Sequence, residues 1–129
     1  MQFDDFITRV QEQARLDTRD DAIRITRAVL ETLGERLDRK VRNGIEAQLP
    51  KELKEFLLAR VEHDDTYEYD LEEFYNRVGA RSDLKYAAAT ERTGQVLSVL
   101  RQAIPWGEIE DILEDLPPEY GRLFVQSSL

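Results

Sequence analysis

The chain has no cysteine, and only one histidine, one tryptophan and one methionine among 129 residues. Without cysteine there is no disulfide framework, thiolate zinc site, iron–sulfur cluster or cysteine nucleophile. With His63 as the only imidazole, a Ser-His-Asp triad has a single candidate base. G-x-S-x-G, H-E-x-x-H and Gly-rich phosphate loops do not occur. No apolar run approaches the roughly 20 residues of a membrane-spanning helix. The opening MQFDDFITRV is acidic where a signal peptide is basic and then apolar. A cytoplasmic location is the expectation. Positive charge is scarce too: 18 bases against 27 acids leave a net charge of −9.

The residues that are present specify helices, arranged twice. With 41% hydrophobic residues, a chain of this length folds as one domain that hides roughly two-thirds of the surface its unfolded form exposes. At a constant offset of 67, Thr26 meets Thr93, Val29 meets Val96, Leu30 meets Leu97 and Leu33 meets Leu100. Leu37 then meets Ile104, Ile45 meets Ile112, Leu49-Pro50 meets Leu116-Pro117, and Phe56, Leu57 and Leu58 meet Leu123, Phe124 and Val125. Upstream the offset is 68, where FDDFITRV from Phe3 matches LEEFYNRV from Leu71. The matched positions are mostly apolar or turn-forming, as a structural duplication would preserve.

Each copy reads as four helices. Phe3, Phe6, Ile7 and Val10 recur at helical spacing, as do Leu71, Phe74, Tyr75 and Val78. Long helices follow, striped by Ala22, Ile25, Val29, Leu33 and Leu37 and by Ala89, Thr93, Val96, Leu100 and Ile104. Thr18 with Asp21 and Asp70 with Glu73 have N-cap spacing, Ser82 is a candidate cap for the second long helix, and Gly79 is a candidate helix stop. Pro50 and Pro117 open the closing helix of each copy. The expected fold is all-α. It is a single-domain bundle of about eight helices, built from two homologous four-helix halves related by a pseudo-twofold. The halves are 1–62 and 70–129, joined by a polar linker at 63–69 and sharing one core.

The run TRAVLETLGERL at 26–37, QLPKELKEFL at 48–57, FITRV at 6–10 and their repetition resemble an uncharacterised bacterial family, domain of unknown function 2267. The resemblance covers nearly the whole chain and implies a small, duplicated, helical cytoplasmic protein of prokaryotes. It carries no catalytic residues across. The second copy departs from the pattern with Arg101-Gln102 where the first has Gly34-Glu35.

Three constellations invite a functional reading. Glu62, His63 and Asp64 supply imidazole and carboxylates in the linker, the chemistry of a divalent-metal site or a carboxylate enzyme. Consecutive linker residues seldom converge on one ion, however, and a solvated linker is the simpler account. Ser82 and Lys85 have S-x-x-K spacing without the motifs that give it meaning. Charge distribution says more. Residues 1–62 hold 13 acids and 12 bases, whereas 63–129 hold 14 acids and 6 bases. Arg36, Arg39, Lys40 and Arg42 crowd the turn after the first long helix; the matching turn has Trp106 followed by Glu108, Glu110 and Asp111.

Two equivalent corners, one basic and one aromatic and acidic, suit a protein partner or a homo-oligomer, since complementary fields favour encounter. Trp106 is the foremost interface candidate, because tryptophan is enriched at hot spots. Four bases on an acidic chain make a poor nucleic-acid footprint, so weak nucleic-acid binding through the Arg36–Arg42 turn is kept only as an alternative. The expected function is a non-enzymatic protein-interaction or scaffold module, with no catalytic residue, cofactor or membrane contact.

Overall fold

The computed structural model describes residues 1–63 and 65–124. Its elements are α1 (Phe3–Gln13), α2 (Arg19–Arg36), α3 (Arg39–Glu46), α4 (Lys51–Leu58), α5 (Leu71–Ser82), α6 (Tyr86–Ala103), α7 (Trp106–Asp115) and a 3₁₀ helix (Pro118–Phe124). The described residues are thus arranged in eight helices and no strand. Helix starts recur at the spacing of the sequence matches. Arg19 and Tyr86, Arg39 and Trp106, and Lys51 and Pro118 lie 67 residues apart, and Phe3 and Leu71 lie 68 apart.

Helices α2 and α6, each of 18 residues, form the centre. Helix α2 packs on α1, α4, α5 and α6; α6 packs on α1, α5 and the 3₁₀ helix; α3 packs on α7. Buried apolar side chains from both halves merge into one cluster, including Phe6, Leu30, Leu57, Phe74, Leu97 and Tyr120. Helices α2 and α4 approach closely where Gly34 meets the backbone of Leu57: a Cβ on Gly34 would stand 1.7 Å from the Leu57 carbonyl oxygen.

Local signals explain most boundaries. The Thr18 hydroxyl accepts from the Asp21 N–H at 3.1 Å, and the Asp70 carboxylate accepts from the Glu73 N–H at 2.9 Å, each satisfying a donor that the first helical turn leaves unpaired. Pro50 precedes α4 in extended conformation and serves as its N-cap.

Three expectations are corrected. Gly79 does not stop α5, which runs on to Ser82 and ends where Asp83 takes a left-handed conformation at φ 59°. Gly79 is instead a close-approach position, where a Cβ would lie 2.7 Å from the Leu84 carbonyl oxygen. Ser82 does not cap α6. It is fully buried and donates to the Val78 carbonyl within α5, while Lys85 occupies the cap position without a side-chain cap bond. Trp106 is not a turn residue; it opens α7 directly after Pro105.

Candidate functional site

The two charged corners face each other within the molecule. Asp38 caps α3, its carboxylate accepting from the Lys40 N–H at 3.3 Å, and its own N–H donates to Asp115 Oδ2 at 2.9 Å. The N-terminus of α3 is thereby tied to the end of α7. Glu108 lies over Gly44, where a Cβ would sit 2.5 Å from its Oε2. A groove of about 550 Å³ runs between the two helices, and in its lining Lys40 stands against Glu108, Asp111, Glu114 and Asp115.

Of the four expected basic residues, Arg39 and Lys40 are exposed, while Arg36 and Arg42 are only 5% and 1% accessible. Arg42 Nη1 donates to the carbonyls of Gly34 (3.1 Å) and Leu37 (2.9 Å), satisfying acceptors at the C-terminal end of α2. Arg36 Nε donates to the Tyr69 carbonyl (3.0 Å) and the Tyr120 hydroxyl (3.2 Å), with its guanidinium over both rings. These two arginines are internal fasteners, so the basic corner reaching solvent is half the size that composition suggests.

Trp106 is 56% exposed, more than any other large hydrophobic residue described. Its helix sends Ile109 and Ile112 into the core. Glu110, Asp111 and Glu114 are exposed on the same helix, and Glu108 is half-buried. Among the seven α-helices, α7 is the one whose acids are unaccompanied by any Lys or Arg.

A second polar cluster, absent from the sequence-based expectations, centres on Glu35. Helix α2 is buried all round from Ala28 onwards, so its polar residues need partners inside the protein. Glu35 Oε1 accepts from Arg81 Nη2 at 3.0 Å, and Oε2 accepts from Arg77 Nη1 at 3.0 Å and from the Tyr69 hydroxyl at 2.7 Å. Burial pushes the Glu35 carboxyl up, but hydrogen bonds from Arg81, Tyr69 and Arg77 outweigh it and hold the group below its ordinary value. Burial and the adjacent Glu35 carboxylate push the Tyr69 phenol upward. Arg77 also lies over the Tyr69 ring at 4.2 Å.

This cluster draws the linker into the structure. Thr66 donates to the Leu37 carbonyl, the Tyr67 N–H donates to the Glu35 carbonyl at 2.9 Å, and the Tyr120 hydroxyl donates to the Tyr69 carbonyl at 2.5 Å. From Thr66 to Tyr69 the linker is strapped along the end of α2, with Thr66 and Tyr69 half-buried and Tyr67 and Glu68 still exposed. In its preceding portion Glu62 and His63 are exposed, with His63 at φ 53°, and Asp64 lies outside the described residues. Among the described residues, no three His, Cys, Asp or Glu side chains come together as a metal-holding group. No helix among them is long and apolar enough to cross a membrane.

The first half has a reduced counterpart of the Glu35 cluster. In the sequence matching, Arg9 corresponds to Arg77 and Gln102 to Glu35. Arg9 Nη1 donates to Gln102 Oε1 at 2.7 Å, across the same kind of inter-half contact but between exposed residues. The Arg101-Gln102 departure thus coincides with the loss of a buried carboxylate. The available sequence clue was Glu35 itself, an acid between the stripe positions Leu33 and Leu37 and four residues after Glu31.

No curated protein matches the chain. The family described as "Uncharacterized conserved protein (DUF2267)" matches residues 3–123, and by that match over nearly its full length the chain belongs to the DUF2267 family.

Proposed function

We propose that the chain works as a non-enzymatic protein-interaction module whose contact surface is the outer face of α7. One observation carries this reading. In a molecule that buries its core residues almost completely, a tryptophan stands 56% exposed at the head of a helix whose Ile109 and Ile112 are fully buried and whose Leu113 is half-buried. Tryptophan is enriched among the residues that dominate binding at protein interfaces.

Trp106→Ala tests it. Association with a protein partner or with a second copy, followed by light scattering and pull-down, should weaken by more than about tenfold, the scale of a truncated hot-spot side chain. Far-UV circular dichroism and the melting temperature should stay unchanged, because Trp106 contributes little to the core. A strict monomer with no protein partner at cellular concentration overturns the reading.

We infer further that the halves descend from one ancestral unit. The recurring helix starts and the matched Arg77–Glu35 and Arg9–Gln102 contacts support this. A half consisting of residues 1–62 alone should then be unstable as a monomer, since α2 would lose its cover from α5 and α6. A stably folded, monomeric half by circular dichroism counts against a shared ancestral core.

A further inference from the structure

The partner chemistry of the α7 face can be taken further, on the footing that this face is a contact surface. We propose that it binds a basic protein segment, with an arginine or lysine seated on the Trp106 ring and further bases along Glu110 and Glu114.

The geometry comes from the helix itself. Trp106, Glu110 and Glu114 are spaced four residues apart and all exposed, so they form one outward stripe on a helix rising about 1.5 Å per residue. The stripe runs about 12 Å from the indole to the last carboxylate. The indole itself is reached by solvent, Trp106 being more exposed than any other large hydrophobic residue described.

The surroundings select the sign of the occupant. Glu114 belongs to the edge shared by the stripe and the groove, where, among the described residues, Lys40 is the one base in the lining, against Glu108, Asp111, Glu114 and Asp115. Lys40 can compensate a fraction of that charge. The outer stripe therefore projects a net negative field that a cation relieves and an acidic partner worsens. An indole face is also the best aromatic platform for a cation. Tryptophan and acids at one spacing thus fit a segment with bases one helical turn apart, or two residues apart in extended form, about 6–7 Å. A second copy of this acidic chain, presenting the same face, would meet like charge.

Trp106 is the only tryptophan, so its emission reports on this face alone. The probes are two synthetic peptides free of tryptophan and tyrosine: a basic amphipathic peptide of Arg, Lys and Leu, and its Glu-for-base counterpart. The basic peptide should give a saturable blue shift that weakens several-fold between 50 and about 200 mM salt, while the acidic peptide gives none. Charge reversal at the stripe (Glu110→Lys with Glu114→Lys) should weaken binding at least tenfold. The same reversal on exposed α4 residues (Glu52→Lys with Glu55→Lys) should leave it unchanged.

No shift with the basic peptide, or equal weakening by both double variants, overturns the proposal. A blue shift that grows with protein concentration without peptide identifies a second copy as the occupant; the basic-segment assignment then fails while the interaction reading stands. If no association is seen by light scattering or pull-down either, both fail together.

Discussion

Replacing Glu35 by alanine tests the energetic account of the buried cluster. The Glu35 side chain is 3% exposed, and its partners Arg81 and Arg77 are 14% and 34% exposed. Truncation leaves Arg81 beside a cavity without its carboxylate, and it removes the acceptor of the Tyr69 hydroxyl. Breaking a buried pair from one side costs about 3–5 kcal/mol. The lower end applies here, because Arg77 keeps Glu73 at 2.9 Å and reaches solvent.

A loss of about 3 kcal/mol, with a urea m-value of about 1.5–2 kcal/mol per molar for a chain of this size, lowers the unfolding midpoint by about 1.5–2 M. Circular dichroism at 222 nm measures it. Arg77→Ala should cost about 1 kcal/mol or less, since a partly exposed pair is screened by water. A Glu35→Ala, Arg81→Ala cycle should show coupling of about 1–3 kcal/mol between the two sites. If Glu35→Ala costs under about 1 kcal/mol, or the two losses simply add, then the cluster is not an energetic unit and the reasoning fails.

Acidity probes the same carboxylate. A Glu35 group held below 4.5 binds fewer protons folded than unfolded, so its stabilisation is complete above the unfolded value and is lost as pH falls through the folded one. Glu35→Gln should flatten that acid limb in a melting-temperature series against pH; an unchanged limb refutes the assignment. Tyr69 has the opposite sign: its raised phenol stabilises the fold below its ordinary value of 10 and loses that contribution at more alkaline pH, a limb that Tyr69→Phe should remove. Gly34→Ala gains helix propensity of about 1 kcal/mol. The clash of its Cβ with the Leu57 carbonyl dominates, and a net loss of about 2 kcal/mol or more by urea unfolding is expected. Tyr120→Phe removes the hydroxyl shared by the Tyr69 carbonyl and Arg36, costing about 1–2 kcal/mol and raising amide exchange at Tyr67 and Tyr69.

Periodicity and punctuation made the helices legible. The apolar stripes of α2 and α6 and the caps at Thr18 and Asp70 are local signals, complete within a turn or two of chain. Signals that failed were those whose meaning depends on surroundings. Gly79 has the identity of a stop, yet its lack of a side chain serves contact with Leu84. Ser82 has the identity of a cap, yet its hydroxyl closes on Val78 inside the preceding helix. On the candidate surface, the acidic run of α7 and its tryptophan were evident from composition. The burial of Arg36 and Arg42 was not, because a cation looks the same in sequence whether it meets water or a ring of carbonyls.

The sequence by itself determined the helical class, the central pair of long helices and the uneven charge of the two halves, since each follows from residue type and spacing along the chain. Tertiary structure alone decided which charges reach solvent. Glu35 lies 42 and 46 residues from Arg77 and Arg81. The two corners that meet across the α3–α7 groove are 77 residues apart at their Asp38–Asp115 bond. Contacts of that separation depend on how helices are laid against one another, and electrostatic energy depends on distance and burial in space, not on position along the chain.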